Sequence, residues 1–232
     1  MKEIEIRPIA FFHSPFPEKF GIPRQSGIVK DLRGEIRFAE GFARSEALRG
    51  LEEFEMIWLI WGFSANGKAA GDDWQATVRP PRLGGNKALG VFATRSPFRP
   101  NPLGLSAVRI ERIDTDGLVI HVLGADLMDG TPIYDIKPYV AYTDAHPEAK
   151  SGFVDSVEWQ TLQVEIPEET AAQIGKYLSE EQTGTLKEIL ALDPRPRYHD
   201  DPEKSYGMAY EGLNIRFRVS NGILTIIAVD KK

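Results

Sequence analysis

Cysteine is absent from the 232 residues, so the chain has no disulfide, no thiolate nucleophile and no Cys-based zinc or iron–sulfur site. That absence fits a reducing compartment. Long apolar runs are missing too. The longest, residues 56–63, is far short of the roughly 20 residues a membrane-spanning helix requires. Residues 1–8 alternate charges without an apolar stretch, so no signal peptide and no membrane segment is expected, and the cytoplasm is the expected location. The four histidines, His13, His121, His146 and His199, stand alone, none at metal-ligand spacing, and no metal is expected. Nucleotide-binding signatures are also lacking. There is no phosphate-binding P-loop, no G-x-G-x-x-G between a strand and a helix, and no βαβ alternation in the first half. Gly104-Leu105-Ser106-Ala107-Val108 is not a nucleophile elbow, because Val108 replaces the second glycine.

What is present is an ordinary globular composition, 42% apolar and 27% charged, with a net charge of −6. An acidic balance argues mildly against nucleic acid as a partner. The distribution argues the other way. Between residues 79 and 112 stand Arg79, Arg82, Lys87, Arg95, Arg99, Arg109 and Arg112, with Glu111 the only acid. A basic face of this kind is the footprint phosphates need, although scattered surface arginines would give the same count.

Patterning divides the chain into two units. In the first, residues 4–12, 34–38, 56–63, 105–113, 118–123 and 133–136 read as strands, with 105–113 and 118–123 a hairpin across Asp114-Thr115-Asp116-Gly117. Residues 45–54 read as a helix, with Ser45 as N-cap and Leu48 and Leu51 on one face. Two long Pro/Gly-rich loops, 15–27 and 78–104, are of the kind that carries function. Short strands joined by such turns suggest a barrel or sandwich. A linker over 142–152 precedes a second unit. It has a strand through Leu162, Val164 and Ile166, a helix over 168–179, and a second helix through Leu186, Ile189 and Leu190 that stops at Asp193-Pro194. A final hairpin, 213–219 and 223–229, turns at Ser220-Asn221-Gly222. The expected architecture is a mainly β N-terminal barrel over 1–143 and a smaller α+β C-terminal domain over 153–232.

Three segments carry more specific chemistry than connecting loops need. They are Phe20-Gly21-Ile22-Pro23-Arg24-Gln25; residues 78–106, which contain Gly90-Val91-Phe92-Ala93-Thr94-Arg95-Ser96-Pro97-Phe98-Arg99-Pro100-Asn101-Pro102-Leu103-Gly104-Leu105-Ser106; and residues 126–139, opening Asp126-Leu127-Met128-Asp129-Gly130-Thr131. Prolines stiffen these loops and glycines permit close backbone approach. Arginines on a stiffened loop are held ready for phosphate, carboxylate or stacking on a purine. Asp126 and Asp129 beside Gly130-Thr131 can accept from ribose hydroxyls or an amine. Basic and acidic loops together suit a polar ligand of mixed charge, such as S-adenosylmethionine. A network of turns and ion pairs is the plainer alternative.

These segments resemble the signature of the TrmO (TsaA-like) family, over residues 4–139, with a weaker likeness in Asp193-Pro194-Arg195-Pro196-Arg197-Tyr198 and Asn214-Ile215-Arg216-Phe217. The resemblance implies a small β-barrel that binds S-adenosylmethionine without a Rossmann fold, and a homodimer. It also implies methylation of N6 of N6-threonylcarbamoyladenosine, beside the anticodon of threonine tRNA. Position by position, it implies cofactor contacts at Pro23, Arg24 and Gln25, at Arg95, at the apolar Leu105, and along Asp126, Leu127, Met128, Asp129, Gly130 and Thr131. Where many relatives carry a histidine and a polar residue after the third strand, this chain has Ser64-Ala65, which leaves a backbone contact there.

For tRNA, the resemblance and the basic pattern together point to Arg79, Arg82 and Arg99 in the central loop and to Arg195, Arg197, Tyr198, Arg216 and Arg218 in the C-terminal unit. Tyr198 is a candidate to stack on an anticodon-loop base or to pack under the last hairpin. Asp129 and Asp135 are candidate catalytic carboxylates, able to accept or orient the N6 proton. Two other functions fit the same residues: a small-molecule methyltransferase of this fold, and a non-catalytic module that takes the cofactor as a regulatory ligand.

Overall fold

The computed structural model describes residues 4–64, 74–80, 87–156, 160–195 and 201–232. In chain order the first unit contains β1 (Ala10–His13), β2 (Arg33–Phe38), β3 (Met56–Gly62), the two-residue β4 (Thr77–Val78) and β5 (Leu89–Gly90), then β6 (Leu103–Asp114), β7 (Val119–Leu123) and β8 (Thr131–Pro138). Six of these close into a barrel, in the order β1-β2-β7-β6-β3-β8, with every neighbouring pair antiparallel. Closure removes the unpaired edges that an open sheet would expose.

Period-two alternation sets the inner face. Phe12, Ile36, Ile57, Leu59, Val108, Ile120, Val122 and Ile133 fill the barrel. β3 is apolar on both faces because its outer face is covered as well. Trp58 packs against Tyr139 at 5.4 Å between ring centroids, and its Nε1 donates to Asp144 at 2.9 Å. Asp144 closes a short helix, α1 (Ala141–Asp144), and also accepts from the Val140 amide, so these donors hold its carboxyl below the ordinary range. Gly104 is required by packing, because a Cβ there would lie 2.2 Å from the Trp61 ring.

The second unit is a four-stranded sheet, β10-β11-β12-β9, built from β9 (Gln163–Glu165), β10 (Tyr206–Tyr210), β11 (Leu213–Ser220) and β12 (Ile223–Lys231), with β9 parallel to β12. Helices α2 (Glu168–Ile174) and α3 (Glu180–Ala191) bury Ile174, Leu186, Ile189 and Leu190. The β11–β12 hairpin turns through Asn221 and Gly222, at φ 51° and 78°, the left-handed pair a tight hairpin requires. The mainly β barrel and the smaller α+β unit are the architecture expected from sequence.

The two cores do not divide at the linker. Phe16, Val29 and Leu32, from the loop between β1 and β2, are buried in the core of the C-terminal sheet, with Phe20, Ile22 and Ile28 packed on it. Phe16 lies 5.5 Å from Tyr210 between ring centroids. Arg33 adds a polar tie, bonding Glu111 of β6 and Glu181 of α3.

Four local expectations are corrected. Residues 4–8 form no strand, and Ile4 and Ile6 are exposed, because alternation in a tail with no covering partner has nothing to bury against. The helix expected over 45–54 is two 3-10 turns, Ser45–Leu48 and Leu51–Glu53, separated by Gly50 at φ 86°, and Ser45 caps nothing. The helix expected over 168–179 stops at Ile174. Ser179 starts the next helix instead, through a reciprocal capping box with Gln182. The loop from 78 to 104 contains the β4–β5 ladder. Strand β10 was not anticipated.

Candidate active site

Main-chain hydrogen bonds on both sides of the first segment tie its loop to residues 124–130 at the start of the third. Gly27 N donates to Gly124 O, Gly124 N to Leu32 O, Asp129 N to Phe16 O and Gly130 N to Phe12 O, at 2.8 to 2.9 Å. Gly130, at φ 74°, turns the chain into β8, and the buried Thr131 hydroxyl closes that turn by donating to Met128 O at 2.7 Å. The second segment joins through Arg95, whose guanidinium bonds the Gln25 side-chain oxygen. The turn that carries Arg95 is itself braced. Arg99 donates to Val91 O and Thr94 O, and the Thr94 hydroxyl donates to Val91 O.

Asp126 is the partly buried carboxylate of this junction. Ser106, on the inward face of β6, donates to Asp126 Oδ1 at 2.6 Å, and Trp61 Nε1 donates to Ser106 Oγ at 3.0 Å. Burial pushes the Asp126 carboxyl above the ordinary range. The Ser106 hydroxyl, the amides of Asp126 and Ser26, and the nearby Arg95 charge all pull the other way. The Ser106 hydrogen bond holds this carboxyl in one orientation.

Beside the junction lies a cleft of about 1200 Å³. Arg24, Gln25 and Arg95 line it, with Arg79, Phe92 and Phe98 from the second segment, and Ser151, Phe153 and Arg195 from farther along the chain. Four arginines face it and, among the described residues, no carboxylate does. On a chain of net charge −6 this is a local reversal of sign.

The remaining candidates are dispersed. Leu127 packs in the barrel core, and Leu105 points outward from β6. Ser64 lines a separate, smaller cleft with Phe63, Pro102 and Tyr134. Pro23 is buried on the first loop. Asp129 is half-exposed, accepts from the Ser14 amide at 3.1 Å and faces His13 at 3.5 Å. Asp135 pairs with Lys137 at 3.0 Å. Neither Asp129 nor Asp135 lines the large cleft. Arg195 is clamped by Asp193, Arg216 pairs with Asp230 at 3.0 Å, and Arg218 faces Glu203 at 4.0 Å. Ala65, Arg82, Arg197 and Tyr198 lie outside the described residues. Among those described, no group of three or more His, Cys, Asp or Glu could hold a metal, and no helix is long and apolar enough to cross a membrane.

Sequence reading assigned no role to Ser106, Trp61 or Phe92. One signal for Ser106 was available. A hydroxyl at an inward position of a barrel strand, in step with Val108, must find a buried partner.

Comparison with known proteins places this geometry in a family. The model of the tRNA-methyltransferase O N-terminal domain matches residues 11–145, and that of the TrmO C-terminal domain matches residues 159–232. A tRNA (adenine(37)-N6)-methyltransferase of Escherichia coli (strain K12) is 36% identical over 238 residues, covering 100% of each chain. A Pyrococcus abyssi protein named as a probable S-adenosyl-L-methionine-binding protein is 37% identical over 149 residues, covering 64% of this chain and 75% of its own length. The crystal structure of TrmO from Pseudomonas aeruginosa superposes with a TM-score of 0.78 at 31% identity, over 99% of this chain and 100% of that one.

Proposed function

The chain belongs to the tRNA-methyltransferase O family, and from that premise we propose that it is an S-adenosylmethionine-dependent tRNA methyltransferase acting on N6 of adenosine 37, the N6-threonylcarbamoyladenosine beside the anticodon of a threonine tRNA. The observation that carries this reading is the meeting of Gln25 and Arg95, from two distant segments, at an arginine-lined cleft, with Asp126 close to Arg95 beside it.

The residues present fit the cofactor. Arg24 and Arg95 suit its carboxylate, and the oriented Asp126 carboxylate suits its ammonium or ribose hydroxyls. Gln25, through Arg95, and the main chain of residues 128–131 shape the same junction. When bound, the cofactor supplies an electrophilic methyl group on a sulfonium. The chain's part is to bind, orient and exclude water. N6 carries a carbamoyl group, so its lone pair is delocalised and its proton is more acidic than that of adenine. Positioning the reacting atoms at about 3–3.5 Å is the main contribution. Asp129 accepts from the Ser14 amide and Asp135 pairs with Lys137, so this reading assigns neither as a general base.

The size of the cleft favours a macromolecular substrate. At about 1200 Å³ it exceeds the usual range of roughly 300–1,000 Å³ for small-molecule pockets. The reading includes a cytoplasmic homodimer, as the family likeness implies. The test is incubation of the full chain with S-adenosylmethionine and bulk tRNA, followed by mass spectrometry of the nucleosides. A methylated N6-threonylcarbamoyladenosine supports the reading. Unmodified tRNA alongside methylation of a small molecule, or cofactor binding without any transfer, would assign the chain to one of the two alternative classes.

A further inference from the structure

Phe92 lines the cleft and carries Trp74 stacked on it, and neither ring has a role in the cofactor junction. Trp74 and Phe92 stack, 6.1 Å between centroids and 24° between planes. Phe92 is 76% exposed and Trp74 40%. Single exposed apolar side chains are ordinary, but these two are held in place. Trp74 leads into β4 and Phe92 follows β5, so the Thr77–Gly90 and Val78–Leu89 pairing brings them side by side. Gln75 N donates to Phe98 O and Val91 N to Ala76 O, so residues on both sides of the ring pair are fixed by main-chain bonds. Arg99 and the Thr94 hydroxyl pin the turn that carries Phe92, through the Val91 carbonyl. The exposed ring face is therefore presented from a rigid mount.

The charge around the rings selects the occupant. Phe92 lines the cleft together with Arg24, Arg79, Arg95 and Arg195, and no carboxylate stands among the described lining residues. Arg79 is exposed and makes no ion pair among the described residues. A flat apolar ledge beside a cleft lined by arginines, with the exposed Arg79 among them, matches a ligand that alternates flat rings with negative charges, which is a single-stranded nucleic acid. A purely apolar protein partner would leave Arg79 desolvated without counter-charge. Resting on the proposed tRNA substrate, we propose that the Trp74–Phe92 pair is the stacking ledge for an unpaired nucleobase of the anticodon loop, with Arg79 neutralising the adjoining phosphate.

The test compares full-length wild type with Phe92→Leu, Phe92→Tyr and Arg79→Ala. The readouts are fluorescence anisotropy with a labelled anticodon stem–loop RNA, the same with heparin, calorimetry with S-adenosylmethionine, and sedimentation. Phe92→Leu keeps apolar bulk but removes the ring face, and it is expected to weaken RNA binding roughly 5- to 100-fold. Phe92→Tyr should stay close to wild type. Heparin has phosphate-like charge density but no bases, so Phe92→Leu should leave its binding unchanged while Arg79→Ala weakens both ligands. Cofactor affinity and molar mass should not move with Phe92→Leu. RNA binding by Phe92→Leu equal to wild type would overturn the ledge. So would a fall in molar mass, which would mean that the rings cover a second copy of the chain. Failure of the wild type to methylate tRNA rejects the proposed function itself, whereas methylation that is indifferent to Phe92 rejects only the ledge.

Discussion

The arginines of the cleft and those of the C-terminal sheet make an instructive pair. At the cleft, Arg24, Arg79, Arg95 and Arg195 face one open space with no described carboxylate among its lining. On the sheet, Arg216 is paired with Asp230 and Arg218 faces Glu203. Arg195 belongs to both settings, because it lines the cleft yet is clamped by Asp193 in two parallel bonds of 2.8 and 2.9 Å. A count of basic residues therefore overstates what phosphates can use. An arginine already matched to a carboxylate must exchange one partner for another, while an unmatched one only releases water and counterions.

The sharpest way to break the comparison is to remove the C-terminal unit. The barrel has its own core and should keep its strands after a cut at Gly152. The loop carrying Pro23, Arg24 and Gln25 should not keep its shape, because Phe16, Val29 and Leu32 would lose the sheet that covers them. We expect retained β-sheet circular dichroism and a loss of cofactor affinity of tenfold or more, about 1.4 kcal/mol or above. Undiminished affinity would show that the loop stands without the sheet.

Next in size is Arg95→Ala, expected to cost about 1.5–3 kcal/mol in cofactor binding, the range for a hydrogen bond to a charged group. The fold should persist, because Arg95 is a loop residue bonded to Gln25. Calorimetry giving unchanged affinity would remove Arg95 from the site.

A third test uses pH. Burial raises the Asp126 carboxyl, so its anionic form is lost at a higher pH than for an ordinary aspartate. Cofactor affinity should therefore fall on acidification earlier than a surface carboxylate would dictate. Ser106→Ala removes a donor that favours the anion and should move that fall to still higher pH, whereas Asp126→Asn should abolish it. The stability sign is opposite. A folded-state value above the unfolded one gives stability that is present below the unfolded value and lost as pH rises through the folded one. Asp126→Asn should accordingly melt higher than wild type at neutral pH. A Ser106→Ala affinity profile that overlays the wild type would mean the hydroxyl only fills space.

The smallest expected effects concern salt. Arg79→Ala should lower the slope of log affinity for tRNA against log salt by about 0.7, one phosphate's share on single-stranded nucleic acid. Arg216→Ala should change it by much less, because Asp230 already holds that guanidinium.

Legibility from sequence followed locality. The β6–β7 and β11–β12 hairpins could be read because alternation and turn chemistry lie within a few residues of each other. Strand β10 could not, because Tyr206-Gly207-Met208-Ala209-Tyr210 buries all but Gly207 and shows no clean alternation. The helical spacing of Leu48 and Leu51 misled because Gly50 between them adopts a left-handed conformation. In the site, Gln25, Arg95 and Asp126 were identified through the family likeness, and the structure brings them together. The relay from Trp61 through Ser106 to Asp126 was not identified, because it joins residues 45 and 20 positions apart whose meeting depends on β3–β6 register. The sharing of Phe16, Val29 and Leu32 with the C-terminal core was hidden for the same reason.

The most direct measurement is transfer of labelled methyl from S-adenosylmethionine to tRNA, run in parallel for wild type, Arg79→Ala and Arg216→Ala. The account predicts label on adenine N6 with wild type, a clear loss at subsaturating tRNA with Arg79→Ala, and near-wild-type transfer with Arg216→Ala. Absence of label with wild type, or loss with Arg216→Ala but not with Arg79→Ala, would contradict it.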